Sequence, residues 1–324
     1  MAHAIVCERT GGPEVLEWRE VEVGKPGPGE VRLRHSAVGL NFIDVYHRTG
    51  LYPQELPFTP GLEAAGVVEA VGPEVGDLAV GQRVAYAAPP IGAYATERLM
   101  PAAKVVPVPD GVDDKTAAAM MLKGMTAWYL LRRTHVVRPG EPILFHAAAG
   151  GVGSIAGKWA KHLGAITIGT VGSAAKVETA EAHGYDHVID TSKEDFVARV
   201  KEITGGQGVP VVYDSIGKDT FMRSLDCLRP LGLMVSFGQS SGAIEPLNTG
   251  LLSQKGSLFL TRPTLMTYTA KRADLLQAAR DLFDVVKREA VTITINQEYK
   301  LAEARRAHED LEGRRTTGAS VLLP

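Results

Sequence analysis

The sequence predicts an α/β protein of two domains. One is a compact, barrel-like β domain made of residues 1–124 and the tail 267–324. The other is a doubly wound parallel sheet over residues 125–266. Three observations carry this. Short Val- and Ala-rich runs broken by Gly and Pro fill the first 120 residues. From about residue 125 strand and helix patterns alternate, the signature of a parallel sheet covered on both faces. A run of small residues, HAAAGGVG (146–153), stands at the first strand-to-helix junction of that second region.

The elements follow in order. AIVCE, VRLRHSAVGL, AAGVVEAVG and QRVAYAAP read as strands, and KPGPGE and VGPEVG as turns. Next comes the apolar strand PILFHA. A helix over 153–163 follows, with Ile155, Ala156, Trp159 and Leu163 on one face beside Val152. Strand AITIGTV leads to a helix over SAAKVETAEAHG. HVID, VPVVYDSI, GLMVSFG and SLFLTR are the later strands, with EDFVARVKEIT and DTFMRSLDCLRP helical between them. After Pro263 an amphipathic helix is expected over about 270–288, then strand VTITINQEY, helix LAEARRAHEDLEG and strand GASVLLP. This tail is expected to pack back on the first domain and leave a cleft between the two.

Composition narrows the function classes. The 324 residues are 45% hydrophobic and 22% charged with a net charge of −2, so the overall field argues against a nucleic-acid or membrane surface. Cys7 and Cys227 are the only cysteines, too few for a disulfide framework or a structural zinc. No apolar run approaches transmembrane length, and the N-terminal residues lack the pattern of a secretion signal. A cytoplasmic location is expected.

The glycine run carries the chemistry. A strand, then Ala148-Ala149-Gly150-Gly151-Val152-Gly153, then a helix is a dinucleotide-binding fingerprint in its Rossmann context. Gly150 lets a pyrophosphate approach the backbone, Gly153 lets the helix pack on the strand, and the helix N-terminus supplies N–H groups. Ala148 stands where the fingerprint has its first glycine, which requires a negative φ there. A phosphate-binding P-loop fails, because Val152 and Trp159 stand where Gly and Ser or Thr are needed. The second strand ends Val171-Gly172-Ser173 without a carboxylate, and Lys176 lies in the next turn. An acid there would bind a ribose 2′-hydroxyl, so its absence beside a lysine favours a 2′-phosphate, hence NADPH. Asp190, ending the third strand, is the residue that argues the other way.

Longer runs carry a family resemblance. GLNFIDVYHRTGLYP (39–53), PFTPGLEAAGVV (57–68), AAAGGVG, VYDSIG (212–217), QKGSLFLTRP (254–263) and RAHEDLEGRRTTGASVLLP (306–324) resemble the quinone oxidoreductase, zeta-crystallin-like branch of the medium-chain dehydrogenase/reductases, over essentially the whole chain. The resemblance implies a GroES-like catalytic domain beside the Rossmann domain. Zinc alcohol dehydrogenases of that superfamily place a cysteine ligand where Asn41 stands and a histidine ligand where Leu62 stands. Neither residue here replaces thiolate or imidazole, so no metal is expected. The nine histidines show no ligand spacing and read as surface or packing residues. Without a Lewis acid to hold an alkoxide, the accessible reaction is hydride delivery to a quinone or another conjugated carbonyl.

The resemblance also implies the site residues. Asn41, Asp44, Tyr46 and Tyr52 cluster in one loop facing the nicotinamide, where Asn41 hydrogen-bonds cofactor or acceptor and the tyrosines orient the acceptor or relay a proton. Asn and Asp also cap turns, and Tyr also fills loop–core junctions. Thr126 is implied near the nicotinamide ribose, and Gly150, Gly151 and Val152 at the pyrophosphate. Gly172, Ser173 and Lys176 are implied at the 2′-phosphate, with Thr191 where many relatives carry tyrosine. Ser215, Phe237, Gly238, Thr261 and Arg262 line the nicotinamide half, and Arg314 reaches the adenine end. The apolar strand SLFLTR, at the sheet edge, is a pairing site for a homodimer. An enone or enoyl reductase on the same scaffold stays open, as does a crystallin-like or A/U-rich RNA-binding role. The lack of a basic stripe argues against RNA.

Overall fold

The computed structural model describes residues 1–324. The chain divides into two compact units. The first comprises Met1–Met125, Thr269–Lys287 and Ile293–Pro324, and the second Thr126–Tyr268 and Arg288–Thr292.

The first unit opens with a hairpin of β1 (Ala2–Val6) and β2 (Glu17–Val21). Then come β3 (Glu30–Leu40), helix α1 (Phe42–Thr49), β4 (Glu63–Val71), β5 (Arg83–Ala87), β6 (Glu97–Pro101), β7 (Val106–Pro107) and helix α2 (Asp114–Tyr129). Two helices here depart from the strand-like reading of this region. FIDVYHRT is helical because Asn41 and Asp44 serve its first turn, no Gly or Pro interrupts it, and Gly50 ends it in the left-handed region at φ 82°. TAAAMMLKGMTAWY is helical by propensity and apolar almost all round. It therefore carries no periodic stripe to announce it.

The second unit alternates β8 (Pro142–Phe145), α3 (Gly151–His162), β9 (Ile166–Val171), α4 (Val177–Ala182), β10 (His187–Asp190), α5 (Phe196–Ile203), β11 (Val209–Asp214), α6 (Phe221–Ser224), β12 (Leu228–Ser236), α7 (Gly250–Gln254), β13 (Phe259–Thr261) and α8 (Leu265–Tyr268). All six strands pair in parallel, in the order β10-β9-β8-β11-β12-β13. In sequence terms this is the 3-2-1-4-5-6 order of the doubly wound Rossmann sheet, whose switch point lies at the first strand. Every residue of β11 is buried, as a strand covered on both faces requires.

The tail returns to the first unit as α9 (Arg272–Lys287), β14 (Ile295–Lys300), α10 (Ala304–Glu312) and β15 (Ala319–Leu323). Strand β15 pairs antiparallel with β3, matching Ser320 with Leu40. The large sheet runs β14-β15-β3-β4-β5-β7, with β6 on the other stretch of β3. Tyr299, Leu301, Ala304, Ala307 and Leu322 of the tail join Ile5, Leu33, Val68 and Tyr94 in one apolar core.

Candidate functional site

In the second unit the sequence candidates other than Thr126 fall on one edge of the sheet. Reading across the strand order, Thr191 follows β10, Gly172 and Ser173 follow β9, and the glycine run follows β8. Ser215 follows β11, Phe237 and Gly238 follow β12, and Thr261 and Arg262 close β13. This is the carboxyl edge, where open α/β sheets bind ligands.

The turn after β8 is built by close approach. Gly150 is the N-cap of α3 and no side chain caps that helix. The first N–H groups of Gly151, Val152 and Gly153 therefore lack a preceding carbonyl and present positive potential at the edge. A Cβ on Gly153 would lie 2.3 Å from the Ala147 carbonyl oxygen and 2.9 Å from Ala148 Cα, so only glycine lets α3 pack here. The left-handed residue of the turn is Ala147, at φ 56°, while Ala148 keeps the negative φ that alanine requires. Room for the Ala148 methyl comes from the neighbouring strand, since a Cβ on Gly169 would lie 2.7 Å from Ala148 Cβ. The glycine missing from the fingerprint is thus compensated one strand away. His146, just before the turn, is fully buried between Thr170 Oγ1 (2.8 Å) and Ser224 Oγ (2.9 Å), and burial lowers its pKa.

The corner after β9 is open. Gly172 is exposed, and a methyl group on its Cα would meet nothing within 4 Å. Ser173 is extended, and the Lys176 N–H donates to the Ser173 carbonyl (3.1 Å). Asp190 is turned onto its own loop. Its Oδ1 accepts from Ser192 N (3.0 Å) and Oγ (2.7 Å), and Lys193 Nζ lies 3.9 Å from Oδ2. Thr191 Oγ1 donates to the Val171 carbonyl (3.0 Å). Gly238 allows the loops after β11 and β12 to meet, since its Cβ would lie 2.7 Å from the Ser215 carbonyl oxygen. Phe237 packs on Phe145 at 5.6 Å, and Arg262 Nη1 donates to the carbonyls of Ser236 (3.0 Å) and Gly238 (2.8 Å).

The first unit holds a buried polar cluster. Glu63, fully buried at the start of β4, accepts from Asn41 Nδ2 (2.7 Å) and Lys123 Nζ (3.1 Å) at Oε2, and from the Leu122 N–H (2.7 Å) at Oε1. Asp44 Oδ2 accepts from Asn41 N and from the Tyr94 hydroxyl, each at 2.9 Å. Tyr94 Oη lies 3.0 Å from His308 Nε2, and Arg48 Nη1 lies 3.2 Å from His308 Nδ1 while gripping Glu312 with both nitrogens at 2.8 Å. Arginine only donates, so Nδ1 of His308 is the acceptor and its proton sits on Nε2, giving a chain oriented toward Asp44. Burial raises the Asp44 pKa to about 7 and lowers that of His308 to about 3. His308 is therefore a neutral link in a network, more specific than a packing residue. Tyr46 lies on α1 and Tyr52 just beyond it, their rings 5.1 Å apart and edge-on, so the expected single loop is a capped helix and its exit.

Residues 27–110 match the family described as alcohol dehydrogenase GroES-like domain, and residues 151–283 the one described as zinc-binding dehydrogenase. A quinone oxidoreductase of Pseudomonas aeruginosa is 54% identical over 100% of both chains. The chain belongs to the quinone oxidoreductase branch of the medium-chain dehydrogenase/reductase superfamily. A 2-haloacrylate reductase of Burkholderia is 50% identical over 100% of this chain and 99% of its own. The solved structure of the Escherichia coli quinone oxidoreductase complexed with NADPH superposes with a TM-score of 0.98 at 48% identity, over 99% of this chain and 100% of that one. The two units are accordingly a GroES-like domain and a Rossmann domain.

The zinc that one family description names does not fit this member's residues. The Asn41 amide nitrogen is engaged by Glu63, Leu62 is a buried apolar side chain, and no three His, Cys, Asp or Glu side chains converge as ligands. Arg314, in the tail of the GroES-like unit, is exposed at φ 56° just beyond α10, and Thr126 is buried on α2. Sequence reading missed Glu63, Lys123, Tyr94 and Arg48. The one available signal was an acid, Glu63, at the head of the apolar run AAGVV.

Proposed function

We propose that this protein is a metal-independent NADPH:quinone reductase. The observation that carries the reading is the carboxyl edge of the Rossmann sheet. An uncapped helix N-terminus follows the glycine turn, and one strand away lies an open, acid-free corner at Gly172, Ser173 and Lys176. In this reading residues 125–266 form the dinucleotide-binding domain, and residues 1–124 and 267–324 the catalytic and substrate domain. The N–H groups of Gly151 and Val152 hold the pyrophosphate, and Gly150 leaves it room. Gly172, Ser173 and Lys176 receive the 2′-phosphate, with Thr191 and Arg314 toward the adenine. Thr126, Ser215, Phe237, Gly238, Thr261 and Arg262 line the nicotinamide half. When bound, the reduced nicotinamide supplies a hydride from C4. Asn41, Tyr46 and Tyr52 position the acceptor and keep water away, and a tyrosine hydroxyl donates the proton that completes the hydroquinone.

Titration with NADPH and NADH against one quinone tests this. NADPH is expected to saturate at a concentration at least ~10-fold lower, the worth of one ionic hydrogen bond to the 2′-phosphate, and a chelator is expected to leave the rate unchanged. A preference for NADH would contradict the reading of the Gly172 corner. The 2-haloacrylate reductase relative supports a second reading, reduction of a conjugated acid, enone or 2-alkenal on the same scaffold. Comparing kcat/KM for a quinone and a 2-alkenal separates the two.

Two features support a homodimer through β13. It is the edge strand of the Rossmann sheet, and its Phe259 and Leu260 are 59% and 39% exposed. Sedimentation of Phe259→Lys beside the wild type checks this. No helix is long and apolar enough to cross a membrane, and both cysteines are unpaired and buried; the latter supports a cytoplasmic place.

A further inference from the structure

We propose that Glu63 and Lys123 are positioning residues that hold the Asn41 carboxamide with its nitrogen turned into the protein, so that Asn41 meets a ligand as a hydrogen-bond acceptor for a hydroxyl. This rests on the reading that Asn41 faces the reacting pair, and it changes what Asn41 does there.

A carboxamide has two N–H donors and one oxygen. Both Asn41 donors point inward, one to Glu63 Oε2 at 2.7 Å and one to the Gly39 carbonyl at 3.4 Å. A carboxylate accepts only, so the assignment of nitrogen and oxygen in Asn41 follows from its partner. The oxygen faces the Asp44 N–H at the first turn of α1 and, with two lone pairs, keeps one for a further donor. A quinone carbonyl needs a donor, which this amide no longer offers. The groups that suit it are the hydroxyls of a cofactor ribose or of the hydroquinone product.

The site around Glu63 is built for this. The carboxylate is fully buried, and an unpaired carboxylate there would be costly. Lys123, itself 6% exposed, supplies the counter-charge through a single hydrogen bond. Space for the carboxylate comes from Gly39, where a Cβ would lie 2.2 Å from Glu63 Oε2. Glu63 serves three donors with two oxygens: Asn41, Lys123 and the Leu122 N–H inside α2. A purely apolar packing role would be filled more favourably by a hydrophobic side chain. The pattern makes sense when the carboxylate has something to hold.

Glu63→Gln tests it, because a glutamine has one neutral acceptor atom for those three donors: with its oxygen in the Oε1 place its nitrogen faces Asn41, and with its oxygen in the Oε2 place Lys123, now without a counter-charge, competes with Asn41 for it. NADPH affinity is read by fluorescence titration without turnover, and hydroquinone product inhibition is read kinetically. The expected result is a roughly 10-fold loss in one of the two, as for one lost hydrogen bond. A loss in the NADPH Kd places the hydroxyl on the cofactor, and a rise in the hydroquinone inhibition constant places it on the product. In the Asn41→Ala background the same substitution is expected to change neither, since Glu63 acts through Asn41. An equal loss in that background overturns the proposal, as does a rise in quinone KM alone. A lowered Tm with both constants unchanged also overturns it. Glu63→Asp, which keeps the charge on Lys123 and withdraws from Asn41, gives the same reading should the glutamine variant not fold. A wild type that neither binds NADPH nor reduces a quinone would fail the function reading itself, whereas wild-type activity without these effects fails this proposal alone.

Discussion

The turn after β8 and the cluster around Asn41 solve opposite problems. The turn is made of backbone and small side chains, all within eight consecutive residues, and its essential feature is the absence of atoms at Gly150 and Gly153. The cluster is made of long polar side chains, and its links join residues 22, 60, 214 and 260 positions apart in the chain. A backbone site can be written as a local motif because neighbouring residues share one turn. A side-chain network has no such spacing, since its members meet only after β4, α2 and α10 have packed. The difference also predicts how each fails: the turn fails by crowding, the cluster by loss of partners.

The largest expected effect is that of pH on stability, to which buried histidines of both regions contribute. His308 and His35 have pKa values lowered by burial to about 3 and about 4, below the ordinary histidine range. Between pH 7 and pH 4 the unfolded chain takes up protons that the folded chain does not, so stability falls on acidification. Asp44 acts in the opposite sense. With its pKa raised to about 7, it holds a proton in the folded state from about pH 4 to 7 that the unfolded chain has lost, so its contribution falls as pH rises through that window. His47 and His183, also lowered to about 4 by burial, act in the same sense as His308 and His35; together the histidines outweigh one aspartate, and a net loss on the order of several kcal/mol is expected toward pH 4. Urea denaturation across pH checks it. In His308→Gln the acid loss should shrink, and an unchanged slope would remove His308 from the account.

Arg48→Met attacks the cluster directly. The guanidinium is 1% exposed and leaves Gly11 O, His308 Nδ1 and Glu312 without their donor, a loss of about 3 kcal/mol, moderated because Glu312 is partly solvated. Gly153→Ala attacks the turn: the methyl must displace backbone, so about 1–3 kcal/mol of stability is expected to go, together with NADPH binding. If NADPH affinity survives that substitution, the tight packing of α3 has nothing to do with ligand approach. Lys176→Met should leave stability unchanged and shrink the NADPH preference over NADH by roughly 10-fold, the worth of an ionic hydrogen bond. The smallest effect is Ala147→Gly, which relieves a left-handed alanine and should raise stability by up to about 1 kcal/mol in thermal melts.

Legibility followed the same division. Every strand of the Rossmann unit was readable because apolar runs alternate there with amphipathic helices, and the tail's return to the first sheet was expected from its own pattern. Helix α2 escaped because TAAAMMLKGMTAWY is buried nearly all round and shows no helical stripe, and α1 because its eight residues are too few for a period. Among the proposed site residues, Gly150, Gly172 and Lys176 were visible by position along one strand–turn–helix rhythm. Glu63 was not, because an acid at the head of an apolar run says nothing about which amide it will hold.

By itself the sequence determined the alternation of strand and helix in the parallel unit, the glycine turn and the lack of a carboxylate after β9, while the family resemblance marked Asn41 and Leu62 as standing where zinc ligands would be. These are properties of residue type and short spacing, and local geometry follows from them. Only the tertiary structure decided why Ala148 is tolerated, since the answer is the empty position at Gly169 on the next strand. It alone decided that Asn41 turns its nitrogen to Glu63 and that His308 carries its proton on Nε2 toward Tyr94. Steric compensation and hydrogen-bond direction are set by which partners packing brings within about 3 Å, and a linear sequence does not contain those distances.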